Sequence, residues 1–206
     1  MNLLEALQRI RALGVPSFET RDVSALLQVS PANASMLLGR LARHGQVSRL
    51  ARGKWMLGTG SRAVMAEQLA APYPAYVSLQ SALFRHGVIE QVPAITFAVT
   101  LGRARRIPTP HGMISLHRIP PALFGGFAVE EDGGKLATVE KALFDLLYLA
   151  PGRSRIFSTL PELAVPRRFQ WQQLKAYTEL VKAPGRRAYI SQRIAAIRAR
   201  SMKAKA

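Results

Sequence analysis

Apolar positions along the first 60 residues recur with helical spacing, break, and recur again. Leu3, Leu4, Leu7, Ile10 and Leu13 form a stripe of period near 3.6, which predicts a helix over 2–13. Gly14 and Pro16 end it, and 15–18 reads as a short extended piece. Thr20 is placed to cap a second helix over 21–28, with Val23, Leu26 and Leu27 inward. Ser30 then caps a third through its hydroxyl, and Pro31 fits the first helical position, where no N–H partner is needed. That third helix turns Ala34, Leu37, Leu38 and Leu41 to a core and stops near Gly45. Residues 47–50 and 55–57 read as strands around Ala51-Arg52-Gly53-Lys54, a hairpin with a basic tip. Two helices joined by a short turn, then such a hairpin, give a winged helix-turn-helix over 1–58.

Residues 59–73 mix glycine and proline ends with a short helix over 62–69 and read as a linker. Ser78 is placed to cap a helix over 79–86, which Gly87 closes. Extended segments follow at 94–100, 112–119, 127–130 and 135–137, the last two flanking the turn Glu131-Asp132-Gly133-Gly134. Thr138 caps a strongly apolar helix with Val139, Ala142, Leu143, Leu146, Leu147 and Leu149, on which Lys141 and Asp145 stand four apart as an ion pair. Pro151 and Gly152 end that helix. The tail predicts helices over 170–182 (Trp171, Leu174 and Val181 inward) and 187–200 (Ile190, Ile194 and Ile197 inward), broken at Pro184-Gly185. Strands followed by helices make 74–206 a mixed domain, so the fold class is α+β, opened by the winged helix and ending in helices.

Charge then points to a partner. The 206 residues carry a formal net charge of +17, with eight Lys+Arg against three acids before residue 59 and 21 against nine after it. Such a surplus attracts polyanions, and nucleic acid leads among them. The outer face of the third helix suits double-stranded DNA. Ser30, Ala32, Asn33, Ser35 and Met36 lie at its leading end, which enters the major groove in this motif. Asn pairs with adenine, and Met or Ala touches a thymine methyl. Arg40 and Arg43 follow at phosphate or guanine reach, and Arg49, Arg52 and Lys54 on the hairpin are placed to reach the flanking backbone or minor groove. After Pro184 the tail holds seven cations and no acid; Arg186, Arg187, Arg193 and Arg198 are expected on an outward face as further backbone contacts, with Arg200, Lys203 and Lys205 beyond.

The chain has no cysteine, so disulfides and thiolate metal sites are excluded. Its longest uncharged apolar run, 92–101, is too short to span a bilayer. The first ten residues read as a charged amphipathic helix and not a signal peptide, and a cytoplasmic protein without a membrane partner is expected.

The sequence carries few candidates for chemistry. There is no GxxxxGK[ST] phosphate loop and no GxSxG elbow. His44 and His86 adjoin helix-ending glycines, where they suit terminal carbonyls; His111 and His117 lack a nearby carboxylate. Glu130, Glu131 and Asp132 sit on a turn tip and read as solvated, while Glu140 and Asp145 fall on different helix faces. No catalytic residue, metal site or cofactor is assigned, and the chain is not expected to be an enzyme.

The winged helix, PAYVSLQSALFRHGVIEQVP at 74–93 and TVEKALFDLLYL at 138–149 together resemble the AbiEi-type antitoxins, transcriptional regulators of type IV toxin–antitoxin systems, over nearly the whole chain. The resemblance implies a repressor that binds inverted repeats in its own promoter. It also implies that the second domain counteracts a nucleotidyltransferase-like toxin without a stable complex. By position it maps Asn33, Arg40, Arg43, Arg52 and Lys54 onto the family's DNA reader and supplies no catalytic residue. A monomer or weak dimer that pairs on DNA is expected. A stand-alone regulator, or an RNA- or protein-binding module without a toxin, is the alternative.

Overall fold

The computed structural model describes residues 2–151 and 162–203. It opens with α1 (Leu3–Ala12), β1 (Ser17–Glu19), α2 (Thr20–Leu27), α3 (Pro31–Arg43), β2 (Val47–Ala51) and β3 (Lys54–Leu57). The three strands form an antiparallel sheet in the order β1-β3-β2. Ala6, Leu7, Ile10, Val23, Leu27, Ala34, Leu38 and Leu41 pack with Phe18, Val47 and Trp55 into one small core. The predicted stripe on α1 is narrower than its leucines suggest: Ala6, Leu7 and Ile10 are buried and Leu3 packs at the edge of the core, while Leu4 is 63% exposed. Thr20 does not cap α2. Asp22 accepts the Glu19 N–H at 2.7 Å in that role, while the Thr20 hydroxyl accepts the Trp55 indole N–H at 3.0 Å and so ties β3 to the start of α2.

The remaining elements are α4 (Arg62–Ala70), β4 (Ala75–Val77), α5 (Leu79–Arg85), β5 (Ile95–Thr100), β6 (Arg105–Thr109), β7 (Gly112–Arg118), a 3-10 turn at Pro121–Leu123, β8 (Phe127–Val129), β9 (Lys135–Ala137), α6 (Val139–Leu149), α7 (Trp171–Glu179) and α8 (Pro184–Lys203). Six strands form a mixed sheet in the order β6-β7-β5-β4-β9-β8. Its parallel pairs are β5–β7 and β4–β9. Strand β6 lies outside β7, which suits Pro108, a residue with no N–H to give a second neighbour. The chain is thus mixed α+β with helices at its C-terminal end.

Three expectations change on contact with this packing. The stretch read as a linker holds α4, which Ser61 caps, and which buries Ala63, Met65, Ala66, Leu69 and Ala70 in the main core. Leu50 and Met56 of the β2–β3 hairpin belong to that same core, so the hairpin and the six-stranded sheet share apolar contacts. The break expected at Pro184-Gly185 is the first turn of α8, where proline's fixed φ and missing N–H cost nothing. Gly152, expected to end α6, lies outside the described residues, and Pro151 is in a turn.

Candidate nucleic-acid interface

Helix α3 is set by its ends. The Ser30 hydroxyl accepts the Asn33 N–H at 3.2 Å, Pro31 stands at the first position, and Gly45 takes φ of +66° beyond the last turn. Ala34, Leu38 and Leu41 are buried, which leaves Ser30, Ala32, Asn33, Ser35, Met36, Arg40 and Arg43 exposed. Met36, a large apolar side chain, is 64% exposed there. No acidic residue lies on α3, and no described carboxylate forms an ion pair with Arg40 or Arg43. An apolar contact, an amide and two guanidinium groups are therefore presented together to solvent.

The hairpin exposes two of the three basic residues expected to contact DNA. Arg52 is exposed at the tip, next to Gly53, which takes φ of +73° in the turn. Arg49 is exposed with its guanidinium 5.8 Å from the Trp55 ring centre, which steadies it against β3. Lys54 is otherwise engaged. Its ammonium donates to the Gln68 carbonyl at 2.7 Å, and burial, with Arg105 nearby, holds its pKa below the ordinary lysine value. It links the hairpin to α4.

The tail also departs from expectation. Helix α8 packs on α6 and α7. Arg186 turns back to donate to the Tyr148 carbonyl at 3.3 Å, with its guanidinium 4.8 Å from the Tyr148 ring centre. Arg193 is half-buried, and its Nε has no hydrogen-bond partner among the described residues. These two do not belong to an outward face. Arg187 and Arg198 are exposed, the latter 5.9 Å from the Trp171 ring centre. Lys205 lies outside the described residues, and the Lys203 side chain is likewise not described.

A second polar cluster was not legible as such. Lys141 and Asp145 are both 0% exposed, and the Lys141 ammonium bonds the Asp145 carboxylate. The other carboxylate oxygen accepts the Tyr76 hydroxyl at 3.0 Å and the Ser78 hydroxyl at 2.7 Å. Ser78 therefore does not cap α5; its hydroxyl is committed to Asp145. Leu79, the next residue, is held at φ of +56°, a left-handed conformation that costs a branched residue and persists only because its surroundings fix it. The Lys141 ammonium lies 4.8 Å from the Phe144 ring centre, 5.4 Å from that of Tyr177 and 5.7 Å from that of Tyr76. Burial raises the pKa of Asp145 and lowers that of Lys141, each opposed by the partner's charge; the Tyr76 phenol is pushed far up by burial and by Asp145. The two stretches 74–93 and 138–149 are thus hydrogen-bonded to each other through Tyr76 and Ser78 of the first and Asp145 of the second. With no exposed surface, this cluster fixes β4 and α5 to α6.

The remaining candidates are placed as follows. His86 Nε2 lies 2.8 Å from the Ala137 carbonyl of β9, not on its own helix end. His117 Nε2 lies 3.0 Å from the Ser115 hydroxyl, and burial, then Arg106, lowers its pKa to about 4. The turn acids are not simply solvated. Both Glu130 oxygens accept from the Arg85 guanidinium, at 2.8 and 2.6 Å, and Asp132 accepts the Gly134 N–H at 2.9 Å and the Ser61 N–H at 3.3 Å. Among the described residues no group of three His, Cys, Asp or Glu is placed to hold a metal ion, and no helix is long and apolar enough to cross a membrane.

No protein-family model matches the chain, and no curated protein matches it. Among solved structures it matches the solution structure of the antibiotic-resistance factor ANT(2'')-Ia, described as showing substrate-regulated conformation dynamics, at 12% identity and a TM-score of 0.31, over 69% of this chain and 93% of that one. The expectation that the chain is not an enzyme is withdrawn in view of this match. A likeness this low assigns neither a reaction nor a residue to this chain.

Proposed function

We propose that the chain is a DNA-binding transcriptional repressor of its own promoter and the antitoxin of a toxin–antitoxin pair, with residues 1–58 as its winged helix-turn-helix. The observation that carries the reading is α3. It buries Ala34, Leu38 and Leu41 and turns Asn33, Met36, Arg40 and Arg43 outward on a helix without an acid. Asn33 is the base-reading residue, and Arg40, Arg43, Arg49 and Arg52 contact guanine or the backbone. Two copies fill an inverted repeat about one helical turn apart or a multiple of it. The antitoxin part rests on the resemblance of 74–93 and 138–149 to the AbiEi-type family.

The test is anisotropy with a duplex from the region upstream of the gene. Affinity should fall roughly a thousandfold or more between about 50 and 200 mM salt. A flat salt response contradicts the reading. Co-expression with the product of an adjacent nucleotidyltransferase-like gene tests the antitoxin part: growth should be restored by the intact chain and also by its Asn33→Ala variant.

A further inference from the structure

A cleft of about 350 Å³ opens beside the ends of β5 and β7, lined by the end of α4 and the residues after it, the β5–β6 connection, and Leu116 and Arg118 of β7. Three of its lining residues are arginines, Arg103, Arg105 and Arg118, and none is an acid. None of the three forms an ion pair among the described residues. Three cations gathered without a counter-charge repel one another, and an anion placed between them removes that cost.

The frame around them is firm. Arg118 is the register partner of Thr100 across the parallel pair β5–β7. The Thr100 hydroxyl donates to the Pro74 carbonyl at 2.8 Å and accepts the Gly102 N–H at 3.1 Å, which fixes the turn that leads to Arg103. The Arg105 guanidinium donates to the Leu69 carbonyl, so its position is set by the end of α4. Arg103 and Arg118 are exposed. At the rim stands Tyr73, 52% exposed although it is a large aromatic ring. It packs against Gly102: a Cβ there would come within 2.8 Å of its Cδ2, so glycine leaves the room this side chain occupies.

We propose that this cleft binds the phosphates of a nucleotide through Arg103, Arg105 and Arg118, with Tyr73 as the surface on which the base stacks. Guanidinium forks match phosphate oxygens in pairs, and an aromatic ring accepts any base through its π-face. The volume suits one nucleotide and not a duplex, so the site is distinct from α3, with which it shares no residue. The nucleotide is either free or one unit of a single strand.

Calorimetry separates the sources and tests the site. The titrants are ATP, inorganic triphosphate and a short single-stranded oligothymidylate, each added to the full chain. Arg103→Ala/Arg118→Ala should weaken the bound titrants roughly tenfold or more. Tyr73→Ala should weaken ATP or the oligonucleotide roughly tenfold and leave inorganic triphosphate unchanged. Arg167→Ala/Arg168→Ala removes the same charge at two exposed positions outside the cleft and should change little. Binding of ATP alone names a free nucleotide, and binding of the oligonucleotide without ATP names a strand; either supports the site. No binding of any titrant overturns it, as does equal weakening by the two double variants, which marks a general polyanion effect. Loss of promoter binding by α3 and loss of nucleotide binding here are separate outcomes, measured on different ligands.

Discussion

Lys141→Met tests the buried pair at the centre of the fold. Methionine keeps the length and apolar stem of lysine, so the space beside the rings of Tyr76, Phe144 and Tyr177 stays filled although their contacts with the ammonium go. What disappears is the cation facing Asp145, a carboxylate with no exposed surface. The Tyr76 and Ser78 hydroxyls still donate to it, yet two neutral hydrogen bonds do not balance a fully desolvated charge. Removing one partner of a buried ion pair costs about 3–5 kcal/mol, so the variant should lose that much in urea unfolding at neutral pH. The sign with pH follows from burial. Asp145 already has a raised pKa in the native state, and without Lys141 its opposition to that rise is gone. A carboxyl whose pKa is higher folded than unfolded gains stability for the folded state as it protonates, so the variant's deficit should shrink as pH falls toward the ordinary aspartate range. Replacing both residues, as Lys141→Met/Asp145→Leu, should cost less than the single change, because no unpaired charge is left. A single-variant loss under about 1 kcal/mol, or a deficit that does not change with pH, would refute the reasoning.

Other outcomes are expected. Gly126→Ala should destabilise the chain by about 1–3 kcal/mol or more in thermal melts, because its Cβ would come within 2.3 Å of the Tyr177 hydroxyl and 3.0 Å of Lys141 Cγ at a φ of +71°. Gly87→Ala, at a similar φ of +68° with open space around it, should cost only the backbone strain of about 1–2 kcal/mol. Residues 1–58 produced alone should melt earlier and less cooperatively than the full chain, because Leu50 and Met56 lose the main core that buries them; a melt matching the full chain would contradict this. Arg52→Ala should weaken promoter and random duplexes alike and lower the salt slope by about 0.9, as loss of one phosphate contact does.

The N-terminal elements were legible because their signals are local. Ser30-Pro31 and Gly45 bound α3 by capping chemistry, and its 3.6-residue stripe identifies the buried face without tertiary information. Elements held by the rest of the fold were not. Strand β4 is three residues, all buried, too short for any period to appear. Strand β6 carries Arg105, Arg106 and Pro108, a composition that argues against a strand except at an edge, where it lies. Helix α4 is rich in alanine, whose burial leaves a weak apolar pattern, so its place in the core was hidden. The same limit applies to charges. Lys141–Asp145 read only as an ion pair at helical spacing, and Lys54 and Arg186 as groups facing DNA; packing alone shows them turned inward. The arginine cleft joins residues from 70 to 118 that no linear motif connects.

The central claim is that α3 reads DNA, and the specificity ratio of Asn33→Ala tests it most directly. Wild-type chain and variant are titrated at one fixed salt concentration with the promoter duplex, with the same duplex altered one base pair at a time, and with random sequence. The account predicts that the variant loses about 1–3 kcal/mol on the promoter, keeps its affinity for random duplex, and ceases to discriminate at one base pair. Equal weakening on promoter and random DNA, with discrimination intact at every position, would contradict it.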